Sequence, residues 1–123
     1  MQNNPVIWFE IYVQDMERAK HFYESVFQVK LERLNTPDLE IWAFPMEMDK
    51  AGASGALVKM EGVPSGGNST LVYFHSADCS VEAARVVKSG GRIQREKMSI
   101  GQYGFIVLAF DTEGNMFGLH SME

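Results

Sequence analysis

A chain of 123 residues, 46% hydrophobic and 22% charged, is long enough to bury one core without staples and fits a single domain. Its formal charge of −5 argues against a nucleic-acid surface, which needs a basic stripe, and no apolar run approaches the roughly 18 residues of a membrane span. The lone Cys79 excludes an intrachain disulfide, and residues 1–5 lack the basic start and apolar run of a signal peptide, so a cytoplasmic location is the expectation.

From Val6 to Val13, Trp8, Glu10 and Tyr12 alternate with Ile7, Phe9, Ile11 and Val13, which predicts a strand with one apolar and one mixed face. Asp15 is a candidate N-cap, and Ala19, Phe22, Tyr23, Val26 and Phe27 recur at helical spacing, so a helix is expected over 16–27 with those residues inward. His21 falls on its polar face. Strands follow at Val29–Leu34 and Leu39–Phe44 around a turn at 35–38, and a loop over 45–53 leads to a strand at Ser54–Met60. Residues 61–69 are rich in glycine, serine and proline and read as a linker.

The pattern then restarts. Thr70–Ser76 is a strand, Asp78 or Ser80 caps a helix carrying Val81, Ala84 and Val87 inward, and Gly90-Gly91 ends it. Arg92–Glu96, Gly104–Phe110 and Asn115–Ser121 supply three more strands, with residues 111–114 as the last turn. Two βαβββ repeats, 5–60 and 70–121, are therefore expected. Trp8 and Leu71, Asp15 and Asp78, and Gly55 and Gly118 each lie 63 positions apart. Duplicated folds tend to place function where matching strand positions face a shared cleft, which singles out Trp8, Gly55, Leu71 and Gly118.

Strand alternation carried from these positions predicts a cleft side made of Trp8, Glu10 and Tyr12, of Gly55 and Leu57, of Leu71, Tyr73 and His75, and of Gly118 and His120. Glu10 is the candidate general base, its pKa raised by partial burial, with His75, His120 or Tyr73 as proton donors. Trp8 and Trp42 would give aromatic walls, and Tyr103, in the Gly101–Gly104 connection, could close over a ligand. Plainer readings stand beside these: Glu10 as a carboxylate tied across a strand pair, His75 as an exposed strand end, and His120 as exposed near the C-terminus.

Two stretches carry a family resemblance: Phe9-Glu10-Ile11-Tyr12-Val13-Gln14-Asp15-Met16-Glu17-Arg18-Ala19 with Phe22-Tyr23 and Val26-Phe27, and Phe110-Asp111-Thr112-Glu113-Gly114-Asn115-Met116-Phe117-Gly118-Leu119. Together they resemble the vicinal oxygen chelate superfamily, which includes glyoxalase I, bleomycin-resistance proteins, methylmalonyl-CoA epimerase and extradiol dioxygenases. The resemblance implies an α+β fold in which two βαβββ repeats form a curved mixed sheet around a cleft. It also implies a homodimer, its units paired within one chain or exchanged between chains.

In the metal-dependent members it implies a divalent ion on His or Glu at the positions that are Trp8, Gly55, Leu71 and Gly118 here. None of these side chains can ligate a metal, and a one-residue shift to Phe9, Ala56, Val72 and Leu119 is no better. No metal and no other cofactor is therefore expected, and classical glyoxalase I activity is argued against. An ion on Glu10, His75 and His120 is the remaining metal alternative. The expected function is binding of a small organic ligand in a metal-free cleft. The alternative is a lyase or isomerase acting on a small carbonyl or thioester compound with Glu10 as base.

Overall fold

The computed structural model describes residues 4–67 and 69–123; residues 1–3 and Asn68, the latter within the expected linker, lie outside the described residues. In chain order the elements are β1 (Val6–Tyr12), α1 (Met16–Phe27), β2 (Glu32–Leu34), β3 (Glu40–Ala43), β4 (Ser54–Lys59), β5 (Thr70–His75), α2 (Cys79–Lys88), β6 (Arg92–Ser99), a 3-10 turn (Gly101–Tyr103), β7 (Phe105–Phe110) and β8 (Met116–Ser121). This is a mixed α+β chain in which βαβββ occurs twice, as the sequence predicts. Two compact units form: residues 8–71, and residues 72–123 together with the segment ending at Ile7. Among the described residues no helix is long and apolar enough to cross a membrane.

In the first unit the strand order is β2-β3-β4-β1, with β4 parallel to β1 and antiparallel to β3. Asp15 starts α1 by accepting a hydrogen bond from the Arg18 amide at 3.1 Å, which satisfies one of the orphan donors of the first turn. The inward stripe is narrower than expected. Buried Met16 and half-buried Ala19 and Tyr23 pack with Val13, Leu31 and Leu57, whereas Phe22, Val26 and Phe27 stay 57%, 55% and 61% exposed. A helix turns about 100° per residue, so Phe22 and Val26 fall on the flank of the line through Met16, Ala19 and Tyr23. Phe27 stacks on Tyr23 with ring centroids 6.3 Å apart.

The strand expected from Val29 begins only at Glu32. The reason is local: the Leu31 amide donates to the Glu24 carboxylate of α1 at 2.8 Å instead of joining a ladder. Leu57, wholly buried under α1, contributes about 1.5–3 kcal/mol by leaving water. The opposite face of the sheet packs Ile41, Ala43, Ala56 and Val58 with Trp8, Tyr12, Leu34 and Leu39.

The second unit repeats the plan in the order β5-β8-β7-β6, with β8 parallel to β5 and antiparallel to β7. Asp78 caps α2 through the Ser80 amide at 3.0 Å, and Gly90 takes the left-handed conformation (φ +98°) expected after the helix. Here too the inward residues differ from expectation. Cys79 and Ala83 meet Val107 and Leu119, while Val81, Ala84 and Val87 are exposed. Cys79 also donates its amide to the buried Ser121 hydroxyl at 3.0 Å, which fixes the first turn of α2 on β8 and sets the rotation of the helix. β6 runs on to Ser99, past the predicted end at Glu96, because pairing with β7 resumes at Met98 and Ser99 after two register irregularities.

Candidate functional site

Strand β1 presents Trp8, Glu10 and Tyr12 on the face away from α1. Successive same-face residues in a strand stand nearly 7 Å apart, so side chains two residues away on either side can converge on the one between. The Trp8 indole N–H donates to Glu10 Oε2 at 3.3 Å, and the Tyr12 hydroxyl donates to Oε1 at 2.8 Å. Ala56, opposite Glu10 on β4, and the neighbouring Val58 and Ile41 add no charge to this face. Burial therefore dominates and pushes the Glu10 carboxyl above its ordinary 4.5, against the lowering effect of the bonds from Tyr12 and Trp8. Such a group exchanges a proton nearer neutrality than a solvated glutamate, and each oxygen keeps a lone pair for a ligand.

Gly55 and Leu57, expected beside Glu10, lie on the other face. Gly55 is opposite Phe9, and a Cβ there would sit 2.4 Å from the Phe9 carbonyl oxygen and 2.6 Å from its ring. Leu57 belongs to the core beneath α1. The 63-residue spacing thus holds for the first strands and helix caps but not for the last strands. The matched register pairs are Glu10 with Ala56 and Tyr73 with Gly118, so Ala56 and Gly118 correspond at a spacing of 62. A one-residue shift turns every side chain of a strand to the opposite face.

Trp42 also departs from expectation. It packs on the α1 side, with the Lys20 ammonium 3.3 Å from its ring centroid and its indole N–H donating to Glu40 at 3.0 Å. It is not on the face that carries Trp8.

The second unit brings Tyr73, His75, Gly118 and His120 to the face away from α2. The buried Tyr73 ring covers Gly118, where a Cβ would approach Cδ1 of the ring to 2.3 Å. His75 is exposed and is the direct register partner of His120. His120 is half-buried, with Nε2 2.6 Å from the Tyr103 carbonyl oxygen. Tyr103 is thereby held at its backbone, in the short turn before β7.

The four positions at which metal-dependent relatives would hold an ion become Trp8, Ala56, Leu71 and Gly118 in the structural register. They supply an indole N–H, two hydrocarbon side chains and no side chain, so they do not fit a metal. Among the described residues no three His, Cys, Asp or Glu side chains converge as a ligand set, Glu10, His75 and His120 included.

Among the described residues, surface cavities that do not include Glu10 open in the first unit. One, of about 640 Å³, is bordered by Arg33, Lys59, Asp38, Glu40 and Glu61. Another, of about 380 Å³, is walled by Phe9, Tyr23, Phe27 and Phe44 between α1 and the sheet. Neither cavity is among the sites expected from the sequence. For the second, the signal legible in the sequence is the i,i+4 aromatic pair Tyr23 and Phe27, whose rings stack, whereas the pairing of Phe9 with Phe44 is tertiary.

Residues 6–119 match the model of the Glyoxalase/Bleomycin resistance protein/Dioxygenase superfamily. No curated protein sequence matches the chain. Among solved structures it is similar to a hypothetical protein from Bacillus halodurans C-125, with a TM-score of 0.75 at 11% identity, covering 99% of this chain and 96% of that one. It is also similar to methylmalonyl-CoA epimerase from Mycobacterium tuberculosis (TM-score 0.71, 13% identity, 97% and 88% covered). A Streptomyces coelicolor methylmalonyl-CoA epimerase variant in complex with 2-nitronate-propionyl-CoA gives a TM-score of 0.68 at 16% identity, covering 96% of each chain. At these identities the likeness is one of fold.

Proposed function

The chain belongs to the Glyoxalase/Bleomycin resistance protein/Dioxygenase superfamily, and on that premise we propose that it binds a small organic ligand at the Trp8-Glu10-Tyr12 face, with no ion at the superfamily's usual metal positions. The observation that carries this reading is Glu10 itself: a desolvated carboxyl held between two donors, on a face that also carries the apolar Ala56, Val58 and Ile41. A carboxyl so placed fits a ligand that offers a hydrogen-bond donor or an acidic C–H, with Trp8 and Tyr12 supplying flat apolar contact.

A thermal-shift screen of small carbonyl, thioester and hydroxy compounds tests the proposal. A ligand present at roughly 100 times its dissociation constant adds about 2.7 kcal/mol to stability. Glu10→Gln is expected to weaken any ligand so found by about tenfold, because the amide cannot accept from both Trp8 and Tyr12 and still accept from the ligand. A ligand bound equally by wild type and Glu10→Gln would show that the site lies elsewhere.

The raised pKa of Glu10 favours a second reading, proton abstraction next to a carbonyl, as in an isomerase or lyase. The fold likeness to methylmalonyl-CoA epimerases makes acyl thioesters the first compounds to try. In deuterated water an enzyme of this kind exchanges the α-hydrogen of its substrate. Glu10→Gln should stop the exchange, and exchange that continues at the wild-type rate removes Glu10 as the base.

A further inference from the structure

We infer that His75 and His120 form a two-histidine site for a divalent transition metal such as Cu²⁺ or Ni²⁺, separate from the positions its metal-dependent relatives use. The two residues are direct register partners on the parallel strands β5 and β8. Their rings share one face, since Phe74 and Leu119, the neighbours that alternate with them, both pack beneath α2. Adjacent strands lie about 4.8 Å apart, and two nitrogens bound to one ion at roughly 2.0–2.1 Å are at most about 4 Å apart, so the spacing of register partners is within the reach of two imidazoles sharing one ion.

The hydrogen bonding prepares one ring for the task. A carbonyl oxygen only accepts, so the 2.6 Å contact with Tyr103 places the proton of His120 on Nε2 and leaves the lone pair on Nδ1. A metal-ligating histidine characteristically donates its other N–H to a carbonyl or carboxylate, which fixes the ring and raises the basicity of the ligating nitrogen. His75 is exposed, and among the described residues its ring has no hydrogen-bond partner, so it is free to turn toward the same ion. No third His, Cys, Asp or Glu joins the pair among the described residues. The remaining coordination positions are therefore open to water or to an oxygen-bearing ligand, which suits the tetragonal N,O preference of Cu²⁺ and Ni²⁺.

The test is calorimetric titration of the purified full chain with Cu²⁺ or Ni²⁺ alone, using wild type, His75→Ala, His120→Ala and His21→Ala. His75 and His21 are both exposed, so their variants keep the fold, and His21 lies on the polar face of α1 as the control. One ion per chain is expected, with roughly tenfold or greater loss of affinity in His75→Ala and His120→Ala and none in His21→Ala. The paramagnetic spectrum of the Cu²⁺ form should show two coupled nitrogens that fall to one in His75→Ala. No stoichiometric binding, or binding that His75→Ala leaves intact, overturns the site. Because Glu10 takes no part, Glu10→Gln leaves this titration unchanged, so it stands or falls apart from the proposed ligand face.

Discussion

Glu10 and Tyr73 occupy the same place in the two units: each is on the first strand, and each is opposite a small residue on the last, Ala56 for one and Gly118 for the other. In the first unit the position holds a carboxyl that two neighbours grip by hydrogen bonds. In the second an aromatic ring lies flat on a glycine and fills the space a Cβ would take. The repeat preserves strand direction, helix caps and register, whereas the chemistry of the face is set residue by residue. Polar groups consequently sit at different depths along the strand, at Glu10 in the first unit and two residues further on, at His75 and His120, in the second.

Two close-packed glycines, Gly55 and Gly118, give the largest expected effects among these predictions, and they separate the units. Gly55→Ala drives its Cβ into the backbone carbonyl of Phe9 as well as its ring, while the atoms that Gly118→Ala meets first are all of the Tyr73 ring. Each change should cost about 3 kcal/mol or somewhat less, the range for overpacking a tight site. The second mutation decides between them. Tyr73→Ala should restore most of the stability lost in Gly118→Ala relative to Tyr73→Ala alone, whereas Phe9→Ala should not rescue Gly55→Ala. Urea unfolding of the two double-mutant cycles measures this, and equal rescue in both units would mean that the Phe9 carbonyl is not the obstacle.

The same glycines show how much the sequence discloses. Both βαβββ units, the helix starts after Asp15 and Asp78, and the shared face of Trp8, Glu10 and Tyr12 follow from periodicity and capping, which are local signals. The spacing of 63 compares the halves along the chain and carries no information about pairing between strands. It misplaces Gly55 because register is decided across strands, by where Phe9 meets β4, and one residue of slippage exchanges the faces. The rotation of the helices was hidden for a related reason. Phe22, Val26, Val81 and Val87 have the composition of a buried stripe, yet contacts from elsewhere in each unit, such as Ser121 to Cys79, choose which part of it turns inward. The His120 contact with Tyr103 could not be read at all, since it joins a side chain to a carbonyl in a distant turn.

A smaller effect distinguishes the units by pH. Glu10 has a folded pKa above its ordinary 4.5, so the folded state holds its proton more tightly than the unfolded chain does. Its neutral form carries no penalty at low pH; as pH rises from the unfolded value through the folded one, the unfolded chain ionises first and stability falls. Glu10→Gln removes that dependence. The stability of wild type minus that of Glu10→Gln should therefore decline as pH rises above about 4.5 through the raised folded value and then level off. A difference that stays flat, or grows with pH, would show that hydrogen bonds from Tyr12 and Trp8 outweigh desolvation at this carboxyl.

The second unit is expected to respond in the opposite direction, and most weakly. Asp78 caps α2 and pairs with Lys97 at 2.8 Å, and the Lys97 ammonium, with help from Ser80, holds its carboxyl down at about 2, below the ordinary 3.8. A depressed acid contributes stability that is present above the unfolded pKa and lost as pH falls through the folded one, so the loss runs from about 3.8 to about 2. Lys97, raised above 10.5 first by its bond to Asp78, gives a matching loss at the alkaline end as pH rises through its folded value. Asp78→Asn keeps an effective cap while removing the charge. It should flatten both limbs, and because the pair is only half-buried, added salt should shrink the wild-type effect toward that of the variant. Hydrogen exchange followed separately in α1 and α2 as pH drops gives the direct reading. If acid loosens α2 in Asp78→Asn as much as in wild type, the ion pair is not what the second unit loses.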